Sequence, residues 1–351
     1  MFKILFQNLS LDLKDLLSLG HENCKGCQKE DDIFIISSQD NFNDAVNLMS
    51  MLGKVRHIVL KPIEISDLQL EMIIEDLKYN KSKINFIPKR STDELIHILN
   101  KQENLKHAEV YLDTKITLFT SGTTGTPKAN THSLNNLSKT YNKTLSKDFI
   151  WGLTYQISRM AGLQVLLNAF YSDNKIAITS ELSSTEVIKS FIGWNVDAIS
   201  ATPSKWREFI SIKSSRSLKL KQITLGGEIA DQNILTKLSE IFNDAKIVHV
   251  YASTEVGVGF SVSDRKEGFP KEYLNNTSKK FPKMLVKDNK LLFEIDKKIF
   301  DSGDLVMQSG DRFLFLGRAS GVINIGGNKI LPEVIEDVIR KIKIVRNVKV
   351  F

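Results

Sequence analysis

From about residue 43 onward, apolar positions recur in two alternating rhythms. Across Asp44–Met51, Ile65–Tyr79 and Thr92–Asn100 they return every three to four residues, which predicts helices with one apolar face. Between these lie short runs rich in β-branched side chains, His57–Leu60, Ile84–Ile87 and Ile116–Phe119, which predict strands. The alternation continues through KIAIT, VDAIS, KQITL and AKIVHVY as strands, with helix-length segments such as SSTEVIKSFIGW and DQNILTKLSEIF between them. Parallel neighbours need a crossover that returns over the face of the sheet, so this order predicts helix-covered, mainly parallel sheets.

After Gly257 the segments shorten. KMLVKDNKLLFEI predicts a hairpin that turns at Asp288 and Asn289, and DRFLFLG predicts a further strand. From Arg318 the chain offers a Gly-Gly turn, a helix begun near Pro332 and a final strand. One helix and one strand do not bury each other's faces, so this stretch reads as the start of a small α+β lobe. The expected architecture is therefore an α/β protein: residues 1–317 form a large N-terminal domain with a β-rich subdomain, and residues 318–351 form an incomplete C-terminal lobe.

Length and composition narrow this picture. A chain of 351 residues, 42% hydrophobic, is large enough for more than one core. Its apolar stretches, such as Ala161–Phe170, are shorter than the roughly 18 residues that span a bilayer. Charges interrupt MFKILFQNLSLDLKDLL too early for a secretory signal, so the expectation is a cytoplasmic protein without a membrane span. The net charge of +7 is carried mostly by Lys scattered among Asn and Ser, which suits a solvated surface rather than a nucleic-acid face. The two cysteines, Cys24 and Cys27, have CxxC spacing near His21. A structural zinc site wants four ligands and a redox pair wants a strand-to-helix context, so the reading is two reduced thiols in a polar loop.

One segment stands apart chemically. After the strand at Ile116–Phe119, TSGTTGTPK contains Gly122 and Gly125 among hydroxyl side chains and ends on Lys128. Glycines let a backbone turn its N–H groups toward one point, hydroxyls add donors and lysine adds charge, which together suit an oxyanion such as phosphate. A Thr-rich hairpin turn fits the same letters. Lys128 follows Pro127 and precedes Ala129, so the segment is not the GxxxxGK[ST] loop of P-loop NTPases. In YASTE, Thr254 and Glu255 by themselves fit a capping hydroxyl with an acidic residue in a helix's first turn.

TSGTTGTPK, TLGGEIAD, YASTEVGVG, DSGDLV and FLGRASGVINIGGNKILPEVIE occur in that order and resemble the core motifs of the adenylate-forming superfamily, which includes acyl-CoA synthetases, adenylation domains and luciferases. The resemblance covers about two-thirds of the chain, from Ile116 onward. It implies ATP-dependent activation of a carboxylic acid as an acyl-adenylate, followed by thioester formation with CoA or the pantetheine of an acyl carrier protein.

The resemblance also implies individual roles. Thr120, Ser121, Gly122, Thr123, Thr124, Gly125 and Lys128 would surround the leaving phosphates. Thr254 would donate to the α-phosphate and Glu255 would ligate Mg²⁺. Gly226, Gly227 and Glu228 would lie against adenine, Tyr251 would stack on it, Asp304 would accept from the ribose hydroxyls, and Arg318 would be its partner at the sugar and phosphate. TYQISRMAG departs from the family's usual acyl-pocket segment, and Tyr155 and Arg159 are its candidate substrate contacts, Arg159 suiting a polar or second-carboxylate acid. His132 and Trp206 are expected to be structural. Ser320 aligns with the family hinge, and the sequence ends before the point where the family carries a catalytic lysine. A competing expectation is therefore a truncated or degenerate nucleotide-binding module with little turnover, completed by a partner.

Overall fold

The computed structural model describes residues 1–23, 33–37, 40–76, 84–100, 114–120, 127–138, 148–179, 183–275, 281–295, 297–325 and 328–340, and four single positions, 342, 345, 348 and 350, after them. The chain divides into two compact units, Met1–Ser183 and Ser184–Phe351. The boundary expected at 317/318 falls inside the second unit. The candidates Ser121, Gly122, Thr123, Thr124 and Gly125, and the Cys24/Cys27 pair, lie outside the described residues.

The first unit opens with β1 (Lys3–Phe6), β2 (Leu9–Asp12) and α1 (Leu13–Asn23), then β3 (Ile33–Ser37), α2 (Asn41–Met51), β4 (His57–Lys61), α3 (Asp67–Asp76), β5 (Ile84–Ile87) and α4 (Thr92–Asn100). It continues with β6 (Lys115–Thr120), β7 (Lys128–Ser133), α5 (Leu134–Ser138), β8 (Ile150–Leu153), α6 (Met160–Tyr171) and β9 (Lys175–Ile178). Five strands form a sheet in the order β5-β3-β4-β6-β7, parallel except for the antiparallel edge β7. β8, β9 and β1 pair in parallel, and β2 returns antiparallel to β1.

Both faces of a parallel sheet must be covered, and the burial reflects it: Ile33, Phe34, Ile35 and Ile36 along β3 are all buried. On one side, Ile35, Val59 and Phe119 share a cluster with Leu70, Ile73 and Ile74 of α3. α2 is started by Asp40, whose carboxylate accepts from the Asn43 N–H at 2.8 Å. Gly162 lets α6 approach the preceding segment closely, because a Cβ there would lie 2.1 Å from the Gln156 carbonyl oxygen.

The second unit comprises α7 (Ser184–Gly193), β10 (Ala198–Ala201), α8 (Pro203–Ser211), β11 (Gln222–Gly226), α9 (Gln232–Ile241), β12 (Lys246–Ser253) and β13 (Gly257–Val262). β10, β11 and β12 are parallel, and β13 folds back antiparallel on β12. Then come β14 (Phe269–Pro270), β15 (Lys283–Lys287), β16 (Lys290–Ile295), β17 (Lys298–Ser309) and β18 (Arg312–Arg318), an antiparallel sheet in the order β14-β18-β17-β16-β15. Its first hairpin turns at Asp288 and Asn289, at φ 51° and 61°, where Asp and Asn tolerate left-handed backbone better than most residues. The short hairpin β19 (Ile323–Ile325) and β20 (Asn328–Ile330) leads to α10 (Pro332–Arg340). The final strand expected after α10 is not formed at the described positions Ile342, Val345, Val348 and Val350.

This is the expected α/β class: helix-covered, mainly parallel sheets, a β-rich subdomain, and the start of an α+β segment.

Candidate nucleotide site

Parallel strands present their C-terminal ends as a row of loop starts, and the second unit uses them so. β11 ends at Gly226, and Gly227 follows at φ 82°, a left-handed backbone that favours glycine. The Glu228 carboxylate accepts from the Ser204 N–H at 2.9 Å, in the first turn of α8, where free N–H groups and the helix dipole favour negative charge. β12 ends at Ser253, and Thr254–Val256 form the turn into β13, with the Val256 N–H donating to the Ser253 hydroxyl. Thr254 and Glu255 therefore occupy a β-hairpin turn rather than a helix start, Glu255 being exposed.

These strand ends border a cavity of about 390 Å³, within the size range of small-ligand pockets. Gly227, Glu228, Tyr251, Asp304 and Arg318, all nominated from the sequence, line it. Asp304 lies on β17 opposite Arg318 of β18. Its Oδ2 accepts from the Tyr251 hydroxyl at 2.5 Å, and its Oδ1 pairs with Arg318 Nε at 2.9 Å. Arg318 also donates from Nη1 to the Ser302 carbonyl at 3.2 Å. Burial raises the Asp304 carboxyl above its ordinary range, against the lowering effects of the Tyr251 hydroxyl and Arg318. Burial, then the charge of Asp304, pushes the Tyr251 hydroxyl well above its ordinary value.

Sequence reasoning missed part of the wall. Arg207, Glu333, Glu336 and Arg340 also line the cavity. Arg207 pairs with Asp231, Arg340 lies 3.7 Å from Asp231, and Arg340 Nη2 reaches Glu336 Oε2 at 2.6 Å. The one legible signal was the i, i+4 spacing of Glu336 and Arg340. Trp206 is fully buried, its indole N–H donating to the Thr224 carbonyl at 3.0 Å, as expected of a core residue.

In the first unit, Thr120 ends β6 and Lys128 begins β7 directly opposite it, with Lys128 exposed. The Asn130 amide donates to the Thr120 hydroxyl at 3.3 Å. The TSGTTGTPK segment thus connects two paired antiparallel strands. The Tyr155 carbonyl accepts from the Asn41 amide at 3.0 Å, and the Ile157 N–H donates to the same side chain at 2.9 Å. Arg159, the N-cap of α6, sends one guanidinium nitrogen to Glu64 at 3.0 Å and another to the Phe119 carbonyl at 3.3 Å. Any contact of Arg159 with an acid competes with Glu64.

Among the described residues no cluster of three or more His, Cys, Asp or Glu could hold a metal ion. Mg²⁺ held by one carboxylate and substrate phosphates needs no such cluster, and the exposed Glu255 is a donor of the right type. No helix among the described residues is long and apolar enough to cross a membrane.

The sequence profile of the family described as AMP-binding enzyme matches residues 45–288, and the chain belongs to that family. Solved structures share its fold at low identity. An arginine-to-lysine variant of Escherichia coli MenE with bound OSB-AMS is similar at TM-score 0.74 and 14% identity, over 99% of this chain and 81% of that one. The anthranilate CoA ligase AuaEII with anthranoyl-AMP is similar at TM-score 0.75 and 12% identity, over 98% and 79%. The o-succinylbenzoate CoA synthetase of Bacillus subtilis with its acyl-adenylate OSB-AMP is similar at TM-score 0.72 and 15% identity, over 98% and 81%. No curated protein matches the chain.

Proposed function

We propose that this protein is an AMP-forming acid–thiol ligase, which activates a carboxylic acid with ATP as an acyl-adenylate and transfers the acyl group to CoA or a carrier-protein pantetheine in the cytoplasm. The observation that carries this reading is the meeting of Gly227, Glu228, Tyr251, Asp304 and Arg318 around one cavity in a member of the AMP-binding family. Gly226 and Gly227 let backbone lie close to a planar base, and Asp304 offers acceptors to ribose hydroxyls. Thr120, the segment 121–125 and Lys128 supply donors and positive charge to the phosphates, and Thr254 donates to the α-phosphate. Mg²⁺, with Glu255 as its protein ligand, supplies charge neutralisation on the phosphates. Tyr155 and Arg159 face the acid on this reading, with Glu64 as Arg159's alternative partner. That solved relatives in fold are CoA ligases, some with an acyl-adenylate bound, agrees with it.

The test is acid-dependent exchange of labelled pyrophosphate into ATP, alongside melting with Mg·ATP. Exchange is expected with a subset of acids, and Lys128→Ala is expected to slow it about 10²–10³-fold, as for other lost charge-stabilising donors. A melting point unmoved by millimolar Mg·ATP overturns the nucleotide reading. A clear shift without exchange for any acid leaves the nucleotide-binding module as the function.

A further inference from the structure

We infer that Tyr251 is a positioning residue, whose hydroxyl aims the Asp304 carboxylate at the vicinal diol of a bound nucleoside. This rests on the nucleotide reading above and gives the hydroxyl of this side chain a task of its own. The ring already has aromatic neighbours: it lies nearly parallel to Phe260, Phe293 and Phe315 at 5.2, 5.4 and 5.6 Å. It also packs against the apolar cluster that contains Phe269, Met284, Leu291 and Val306. Gly259 leaves space for this packing, since a Cβ there would lie 2.9 Å from both the Tyr251 and Phe293 rings. What Tyr251 turns toward the polar side of the cavity is its hydroxyl, donated to Asp304 Oδ2 at 2.5 Å.

Asp304 is thereby held at both oxygens, by Tyr251 on Oδ2 and by Arg318 on Oδ1. A carboxylate has about four lone-pair sites, so two remain for further donors. A vicinal diol supplies two hydroxyl donors in a fixed relation, which matches a carboxylate whose rotation is stopped from both sides. The donors also act on ionisation. Asp304 faces Tyr251 from β12, Arg318 from β18, Asp301 on its own strand and Glu333 from α10. Of these, Tyr251 and Arg318 favour the carboxylate, while burial and the two acidic neighbours oppose it.

The experiment compares ATP with 2′-deoxy- and 3′-deoxy-ATP, each with Mg²⁺, by calorimetric titration of the full chain. Wild type is expected to prefer ATP. Tyr251→Phe keeps the ring stack and removes the hydroxyl, and should reduce that preference roughly tenfold, the usual scale for a lost hydrogen bond to a charged group. It should also move the acid limb of ATP binding to higher pH, because Asp304 loses a donor that favours its ionised form. Phe315→Leu loosens the same stack but leaves the hydroxyl, and should leave the preference unchanged. If wild type discriminates and Tyr251→Phe discriminates equally with the same pH profile, or if Phe315→Leu abolishes the preference, the inference is overturned while the nucleotide reading stands. If wild type binds none of the three nucleotides, the nucleotide reading fails first.

Discussion

Two clusters of buried polar groups, one in each unit, are held in opposite ways. In the first, His57 Nε2 meets the Thr117 hydroxyl at 2.8 Å, and Thr117 meets Thr131 at 2.7 Å, a neutral chain running across β4, β6 and β7. In the second, Arg207, Asp231, Glu336 and Arg340 form a charged network, with side chains 4–17% exposed, that ties α8, the start of α9 and α10 together. Neutral chains avoid the cost of removing ions from water, whereas charged networks meet it only while every partner is present. The first arrangement should therefore answer mainly to pH, and the second to loss of a partner.

The largest effect is expected from breaking the charged network. Glu336→Ala leaves Arg340 short of its nearest carboxylate and removes the acceptor of the Val350 N–H. About 3–5 kcal/mol is the usual cost of an uncompensated buried charge. Urea unfolding followed by amide exchange along residues 332–340 measures it. The paired replacement Glu336→Met with Arg340→Met should restore most of the loss, because apolar pairs of similar volume are tolerated where one bare charge is not. A paired variant as unstable as Glu336→Ala would mean that the network contributes more than mutual neutralisation.

A smaller effect is expected in the first unit on acidification. Burial, assisted by Lys115, lowers the His57 pKa from 6.5 to about 4, so the folded unit holds it neutral. The unfolded chain binds more protons between those values, so stability rises with pH: His57's contribution is fully present above about 6.5 and is lost as pH falls toward 4. At about 1.4 kcal/mol per unit over about 2.5 units, the loss approaches roughly 3.5 kcal/mol. Urea midpoints at neutral and mildly acid pH should show this slope, and His57→Gln should flatten it. An unchanged slope in that variant would move the pH sensitivity elsewhere.

The smallest effect is expected at Arg159. Its bond to Glu64 is largely in solvent, with side chains 38% and 55% exposed, so Arg159→Leu should cost less than about 1 kcal/mol. Its value as a test lies in the acid profile. A shift away from polar acids, with stability almost unchanged, identifies Arg159 as a substrate contact. An unchanged profile leaves it as a tie between Glu64 and the end of β6.

What was legible in the sequence was local. β5 and α4 run end to end over the segments read from periodicity, and Asp288–Asn289 turn as their residue types require. β1 was not read as a strand, because its partner β9 lies far along the chain and charged residues follow it closely. β3 was also missed, although all but its last residue are buried. In the cavity, motif order nominated Tyr251, Asp304 and Arg318, but not the bond between Tyr251 and Asp304, whose positions are 53 residues apart. Arg207 and Asp231 gave no signal, since each looks like an ordinary surface charge until the fold brings it to the end of α10.

β12 also works as a ruler. Tyr251 sits within the strand and Thr254 just past its end, so the interval between the residue beside Asp304 and the residue nominated for the α-phosphate is a length of extended chain, roughly 10 Å at about 3.3 Å per residue. The irregular register at Tyr251 and Ala252 adjusts that length, and pairing of Tyr251, Ala252 and Ser253 with β13 keeps it from stretching. On the proposed function, the distance from sugar to phosphate is thus written into backbone geometry rather than into the side chains along YASTE.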